Sequence, residues 1–329
     1  MSLRALGQGV VLAATVAGVI VSAQPAPASI DALVSAAKVA AGTDWQGTFT
    51  RLCIALPETT GRARDEADPR VLPPREKWHA EPAKVGDNFY FIGEKAHHSW
   101  ALVGSDGIIV IEALFDYMVG DEVAGGLRKL GLDMRQVKYA VMSHAHADHD
   151  GGASYLQDSV PGLHLVYGAA DWDAVEKATF HAGGKPKRDV VGTDGMRLSI
   201  GDASLQIVTM PGHTPGTLSY LFEFRVNGKP LRVAYVGGTA IPFDGSPAYY
   251  DQYIASSQKF AKAAADYGAT LLLSNHTEFD NGYYKAHTAA NRVPGEPNPF
   301  EVGKDGVAAY FSVVRNCAQA AKLRASMVR

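Results

Sequence analysis

The sequence contains little cysteine, with two residues among 329. That number excludes a disulfide-rich scaffold and a cysteine-rich zinc module. The chain also lacks runs of like charge, and 31 Lys and Arg against 34 Asp and Glu give a formal net charge of −3. The composition therefore offers no electrostatic support for nucleic acid or an anionic membrane as a partner. With 47% hydrophobic residues and no repeat or low-complexity segment, the chain has the profile of a globular protein.

The N-terminus has the pattern of a secretory signal peptide. Arg4 supplies a short positive region, and an apolar run from Val10 to Val21 follows it. This run is shorter than the stretch of about 20 residues that spans a bilayer. The pattern predicts a signal peptide over residues 1–23, cut after Ala23, with an uncleaved anchor helix as the alternative. The predicted location is periplasmic or secreted, with no membrane contact after cleavage.

Export bears on the state of the two cysteines, Cys53 and Cys317. In an oxidising compartment they can form a disulfide, which would tie an N-terminal arm (residues 24–87) to the C-terminal helix of the main domain (residues 88–329). Two buried free thiols are the other possible state. The sequence leaves both states open, and it leaves the oligomeric state open as well.

Apolar runs in the main domain predict two blocks of strands that are interleaved with helices. Strands are indicated by alternating or continuous apolar residues, and helices by apolar spacings of three and four. Such an order favours an α/β layered domain over an all-β sandwich. The predicted strands cover residues 88–92, 99–103, 107–111, 139–142, 205–209, 218–224, 232–236 and 271–273. The predicted helices cover residues 121–130, the region around Trp172, and residues 252–267 and 305–323.

The chemistry is concentrated in the segment SHAHADHDGG, residues 143–152. It begins where a predicted strand ends, so its side chains project from the carboxyl edge of a sheet, where open α/β folds place their sites. His144 and His146 are two residues apart in extended chain, so they share a face and can bind one cation. Asp148 and His149 follow at a turn into a helix and can face a second cation. Imidazole and carboxylate ligands suit zinc, and four of them in six residues indicate a two-metal site rather than a loop of surface histidines.

This segment resembles the H-x-H-x-D-H signature of the metallo-β-lactamase superfamily. The resemblance continues through PGHTPG at residues 211–216, which matches the loop of the third histidine, and SNH at residues 274–276, which matches the last one. It implies an αββα sandwich, in which two mixed β-sheets are flanked by helices. It also implies two Zn²⁺ per chain, the first held by His144, His146 and His213 and the second by Asp148, His149 and His276.

Within the superfamily, the chain looks most like the class B metallo-β-lactamases of the third subclass, on the stretches SHAHADHDGG, MPGHTPGT and NGKPLRVAY. It departs from the superfamily pattern at Glu112, where an Asp usually closes the early strand. The implied activity is that of an exported dizinc hydrolase, which opens a β-lactam ring by attack of a zinc-bridging hydroxide on the amide carbonyl. The alternatives are a hydrolase of lactones, thioesters or phosphoesters with the same fold and, more remotely, a non-catalytic metal-binding protein.

The resemblance assigns catalytic roles to three of the ligands. Asp148 would bind metal and orient the nucleophile, while His144 and His146 would hold the zinc that polarises the carbonyl of a small-molecule substrate. His97 and His98 lie in a loop predicted to approach the site, so they are candidate substrate contacts; a surface role is the alternative.

The segment VGGT, residues 236–239, bears on the substrate class. Phosphoester and thioester hydrolases of the superfamily usually have a metal-bridging aspartate here, whereas this chain aligns either Gly238 or Thr239 with it. The missing carboxylate favours β-lactam over phosphodiester hydrolysis, with Thr239 as a donor to the carboxylate of the substrate.

Overall fold

The computed structural model describes residues 29–54, 72–179, 181, 183–241, 246–293 and 295–327. The predicted signal peptide, residues 1–23, lies outside the described residues. Two β-sheets lie face to face between two layers of helices, which confirms the predicted αββα sandwich. Within the described ranges, no helix has both the length and the apolar character needed to cross a membrane.

The first sheet of the described chain consists of β1 (Ala83–Lys84), β2 (Phe89–Phe91), β3 (Trp100–Gly104), β4 (Gly107–Ile111), β5 (Val137–Val141), β6 (His164–Tyr167) and β7 (Val190–Val191). These strands lie in chain order across the sheet. Pairing is antiparallel from β1 to β4 and parallel from β4 to β7. Because the last four strands are parallel, their carboxyl ends meet at one edge.

The second sheet consists of β8 (Arg197–Ile200), β9 (Ala203–Thr209), β10 (Leu218–Val226), β11 (Lys229–Val236) and β12 (Leu271–Ser274). Its order is β12-β11-β10-β9-β8, and only the β11–β12 pair is parallel. Asn227 and Gly228 join β10 to β11 with φ of 52° and 75°. Both residues tolerate this left-handed conformation, and for that reason an Asn-Gly pair forms a tight hairpin turn.

The sheets enclose the main core, and each strand contributes alternate residues to it. Ile109 and Ile111 of β4 face the second sheet, where Tyr220 and Phe222 of β10 are also fully buried. The alternate β4 residues, centred on Val110, face the helices outside the first sheet. A sheet buried on both faces explains why β4 reads as a continuous apolar run in the sequence.

Helices cover the outer faces of both sheets. Leu127, Leu156 and Trp172 pack on the first sheet, and Trp45, Phe260 and Tyr310 are among the residues that pack on the second. A π-helical turn, Gly120–Ala124, leads into α4, and a 3₁₀ turn, Met134–Gln136, leads into β5. The helices are α1 (Ile30–Ala41), α2 (Gln46–Cys53), α3 (Arg75–Trp78), α4 (Gly125–Lys129), α5 (Ala147–Asp150), α6 (Ala153–Ser159), α7 (Ala169–Lys177), α8 (Pro247–Tyr267), α9 (Thr277–Asp280), α10 (Gly282–Ala290) and α11 (Gly303–Met327).

The described part of the predicted N-terminal arm belongs to the core of the domain. Helices α1 and α2 pack against α11, and the Trp45 indole N–H donates to the Gly306 carbonyl across 2.9 Å. Strand β1 also pairs with β2. Cys53 and Cys317 form a disulfide between α2 and α11, which decides between the two states that the sequence left open. Within the described residues 29–54 and 72–87, the arm therefore packs with the main domain.

Candidate metal centre

Four chain segments bring the predicted ligands to one edge of the sandwich. His144 and His146 follow β5, and α5 carries Asp148 and His149. His213 lies in the turn between β9 and β10, and His276 follows β12. Strand β10 is antiparallel to both β9 and β11, and β11 is parallel to β12, so β9 and β12 run in the same direction. Their carboxyl ends therefore lie at one edge of the second sheet, where His213 and His276 meet the ligands that follow β5. The structure thus assembles residues that are up to 132 positions apart along the chain.

His144, His146 and His213 form the first histidine group. The His213 Nε2 atom lies 3.1 Å from His144 Nε2 and 3.1 Å from His146 Nδ1. His144 donates its Nδ1–H to the Gly237 carbonyl, and His213 donates its own to the Ala240 carbonyl, both across 2.8 Å. These bonds leave each Nε2 with a lone pair that faces the other.

Electrostatics make this first group a site for a cation. Burial lowers the pKa of His213 to about 4 and lowers that of His144 well below its usual value, so both imidazoles are neutral at neutral pH. The facing lone pairs of neutral imidazoles repel one another. A metal ion bound between them would accept these lone pairs and remove the repulsion. Three neutral imidazoles fit zinc and leave one tetrahedral position open.

Asp148, His149 and His276 form the second group. The Nε2 atoms of His149 and His276 are 2.9 Å apart, and the Asp148 Oδ2 atom lies 3.3 Å from the former and 3.5 Å from the latter. Burial alone would raise the pKa of Asp148. The charges of the neighbouring imidazoles and a hydrogen bond from His149 outweigh burial and hold that pKa far below its usual range. An ionised carboxylate beside two imidazoles is a donor set that suits a second divalent cation.

Two buried carboxylates support these loops. Asp171 of α7 accepts hydrogen bonds from the N–H groups of Ala145 and Gly216, each 2.9 Å long, and from the Thr214 hydroxyl, 2.8 Å long. Asp171 therefore ties the loop of the first two histidines to the loop of His213. Sequence reasoning missed this role, because α7 shows only the spacing of a packing helix.

Glu112 is the second of these carboxylates; it directly follows β4 and has a left-handed φ of 68°. It accepts from the Ser143 N–H at 3.1 Å and from the Tyr235 hydroxyl at 2.9 Å. Burial raises its pKa. The departure from Asp noted in the sequence thus leaves a carboxylate that supports the start of the ligand loop.

Two of the predicted substrate contacts are buried in the structure. Thr239 is 1% exposed, and its hydroxyl is hydrogen-bonded to the hydroxyls of Ser274 and Tyr310 at 2.9 and 2.6 Å. His98 is fully buried and bonds to the Ser274 carbonyl and the Thr277 hydroxyl. Both residues brace the segment before His276. His97, in contrast, faces the second group, where its Nε2 lies 3.4 Å from Asp148 Oδ2.

Comparison with known sequences finds a matching family model and several curated relatives. Residues 92–227 match the model of the metallo-beta-lactamase superfamily. Among curated proteins, the hydroxyacylglutathione hydrolase of Xanthomonas axonopodis pv. citri (strain 306) is 30% identical over 127 residues, which is 39% of this chain and 43% of that protein. The hydroxyacylglutathione hydrolase of Shewanella denitrificans is 29% identical over 181 residues, covering 54% and 58%. The chain thus spans about half the length of the curated relatives it matches.

Comparison with solved structures gives the same fold. BJP-1, a subclass B3 metallo-beta-lactamase of Bradyrhizobium japonicum, superposes with a TM-score of 0.64 at 24% identity, over 76% of this chain and 97% of that one. The native FEZ-1 metallo-beta-lactamase of Legionella gormanii gives a TM-score of 0.66 at 19% identity, over 75% and 97%. The candidate ligand loops and the αββα sandwich agree with the match of residues 92–227 to the model of the metallo-beta-lactamase superfamily.

Proposed function

We propose that the protein is a two-zinc hydrolase that opens β-lactam rings. The observation that carries this proposal is Gly238, which lies beside the first histidine group. It is one of the two residues, with Thr239, that the family resemblance aligns with the bridging aspartate of thioester and phosphoester hydrolases, and neither offers a carboxylate. A Cβ atom at Gly238 would be 2.6 Å from His213 Cβ and 3.0 Å from Thr217 Cγ2. A carboxylate side chain therefore does not fit unless His213 moves.

The side chains present define the chemistry that the site supports. When bound, the two cations would activate water and polarise a carbonyl. Asp148 is the one carboxylate among the six ligands, so the centre would keep most of its positive charge. Such a centre attracts a substrate that carries its own carboxylate, as a β-lactam does. Asp148 also lies between the imidazoles of the second group, where it can accept a hydrogen bond from the attacking water.

Thioester hydrolysis is the second candidate function. It is favoured by the curated relatives, which are hydroxyacylglutathione hydrolases. The missing carboxylate at Gly238 and Thr239 argues against thioester hydrolysis. In the thioester hydrolases of the superfamily, the family resemblance places an aspartate there that bridges both cations.

A substrate panel tests the proposal. Zinc-loaded protein is assayed with nitrocefin, a hydroxyacylglutathione thioester, a homoserine lactone and bis(nitrophenyl) phosphate, with His144→Ala as the inactive control. We expect nitrocefin to give the highest kcat/KM. Preferred hydrolysis of the thioester or the phosphodiester would replace the β-lactam assignment. Two bound metals without turnover of any substrate would favour the non-catalytic alternative.

Metal content tests the dinuclear centre separately. We expect elemental analysis to find close to two zinc ions per chain and His276→Ala to retain only one at limiting zinc. One ion per chain at saturating zinc would contradict the two-metal proposal.

We also propose that the protein works outside the cytoplasm. The N-terminal pattern and the Cys53–Cys317 disulfide support this, because disulfides persist in oxidising compartments. Cell fractionation with mass spectrometry of the mature protein tests it, with Gln24 as the expected first residue. An intact chain recovered from the cytoplasm would contradict the proposal.

A further inference from the structure

His97 lies in the loop between β2 and β3, and this loop is bound to the segment that carries His276. His97 and His276 form an isolated antiparallel bridge. The His98 N–H donates to the Asn275 carbonyl at 2.9 Å, and the Thr277 N–H donates to the Ala96 carbonyl at 2.8 Å. Backbone bonds therefore hold the His97 imidazole beside the second group independently of any ligand.

The His97 side chain points at the atoms of the second group. Its Nε2 lies 3.4 Å from Asp148 Oδ2, between the 3.3 and 3.5 Å that separate the same oxygen from His149 and His276. Ligands of a tetrahedral zinc with bonds of about 2.05 Å are roughly 3.4 Å apart. The potential ligand atoms of His97, Asp148 and His276 all lie within 4.8 Å of one another. His97 thus has the spacing of a metal ligand.

Glu94 orients the His97 ring from behind. Its carboxylate, which is 2% exposed, accepts hydrogen bonds from the His97 Nδ1–H and from the backbone N–H groups of Ala96 and His97, the latter two at 2.9 and 2.6 Å. Because Nδ1 donates to Glu94, Nε2, which faces Asp148, is the ring atom that can offer a lone pair to a cation. A carboxylate that receives the other ring N–H is the usual support of a metal-binding histidine.

We propose that His97 is a fourth protein ligand of the second cation and that Glu94 is its positioning residue. The inference rests on the proposed two-metal centre. A neutral imidazole would here supply the ligand that Gly238 does not, so the second cation would be held by Asp148, His97, His149 and His276. With four protein ligands, the second site would bind its cation more tightly than a site with three. The added ligand is an imidazole, so it would bring no negative charge.

Titration of the metal-free protein with Co²⁺ tests this inference. Visible absorption reports the coordination of each site, and competition with a chromophoric chelator gives both affinities. We expect His97→Ala and His97→Gln to weaken the second affinity 10- to 100-fold and change the second-site spectrum, and Glu94→Gln to weaken it less. His164→Ala, which removes a half-exposed histidine at the amino end of β6, at the edge of the sheet opposite the ligand loops, is the matched control and should change neither affinity.

The outcomes separate this inference from the proposed function. An unchanged first-site affinity in both His97 variants shows that the fold is intact. If the wild-type protein binds two Co²⁺ and the variants bind the second equally well with the same spectrum, His97 is not a ligand. If the wild-type protein binds only one Co²⁺, the two-metal function itself fails.

Discussion

At the scale of single residues, the metal centre depends on groups that never touch the metal positions. Backbone carbonyls of Gly237 and Ala240 select the tautomers of His144 and His213. Asp171 joins the two loops that carry these histidines through three hydrogen bonds. The ligands are thus held in place before a metal binds, and this lowers the cost of binding.

Replacing Asp171 with Asn tests this preorganisation. The amide cannot accept from all three donors as the carboxylate does, so we expect metal affinity to fall roughly 10- to 100-fold. Chelator competition measures it. Asp173→Asn, on the same helix but in an exposed ion pair with Arg188, is the control and should bind metal normally. Equal affinities in the two variants would show that Asp171 does not position the loops.

The lowered pKa of His213 predicts a pH effect on the metal-free protein. Its pKa is about 4 because the ring is buried, whereas a histidine in the unfolded chain titrates near 6.5. Between these values the unfolded state binds a proton at His213 that the folded state does not, so the contribution of His213 to the free energy of unfolding falls as pH drops through this range, by at most about 1.4 kcal/mol per unit. Urea unfolding in chelator at several pH values measures the slope. His213→Gln should make the slope less steep, although His144 and His276 also contribute to it. An unchanged slope would assign the whole effect to other groups.

Most ligands could be predicted from the sequence, but their supports could not. His144, His146, Asp148 and His149 are identifiable because four donors crowd into six residues after an apolar strand. Asp171 and Glu94 show no such pattern, since their partners are fixed by the meeting of distant loops. The burial of Thr239, which was predicted to contact substrate, could not be foreseen for the same reason. Its position in the chain gives no sign that its hydroxyl bonds to that of Tyr310.

At the scale of elements, the buried strands β4 and β10 were easier to predict than the edge strands β7 and β8. β4 matches its predicted range of residues 107–111, and β10 begins at the predicted Leu218. β7 is two half-buried valines at the edge of the first sheet, and β8 is short and alternates with exposed residues. Such strands bury little apolar surface, so they leave little signal. Helix α8 begins five residues before its predicted start because Ser246 and Pro247 provide its N-terminal cap.

Gly237 lies in the turn after β11, where the surrounding atoms leave no room for a side chain. A Cβ atom there would lie 1.8 Å from the Leu218 carbonyl oxygen and 2.7 Å from Ser143 Cβ. We expect Gly237→Ala to lower the free energy of unfolding by roughly 1–3 kcal/mol or more, because the sheet must open to accommodate it. Gly120→Ala, where the added atom meets nothing within 4 Å, is the control and should change stability by no more than about 0.5 kcal/mol. Chemical denaturation of both variants measures the difference.

At the scale of the whole molecule, the N-terminal helices are joined to the C-terminal helix at the outer face of the second sheet. Their contacts centre on Trp45 and Tyr310, whose rings meet edge to face with centroids 5.1 Å apart. The Cys53–Cys317 disulfide closes a sequence separation of 264 residues at this same place. The layer therefore combines packing with a covalent bond.

Removing the disulfide should lower stability without removing the metal centre. We expect a Cys53→Ser, Cys317→Ser double variant to lose roughly 2–5 kcal/mol of unfolding free energy, because its unfolded chain is less restricted. Its metal affinity should match that of the wild type. Thiol titration of the unfolded wild-type protein should find two thiols only after reduction; two thiols without reductant would contradict the disulfide.

The first histidine group joins the two halves of the sandwich, because His144 and His146 follow the first sheet and His213 belongs to the second. A bound ion is then a reversible cross-link between the sheets, at a place that the disulfide does not reach. Each tenfold rise in free metal above the dissociation constant adds about 1.4 kcal/mol to the stability of the folded chain. If the proposed metal centre forms, the lifetime of the protein would therefore follow the metal supply of its surroundings, and metal starvation would lower the amount of folded protein as well as the proposed activity.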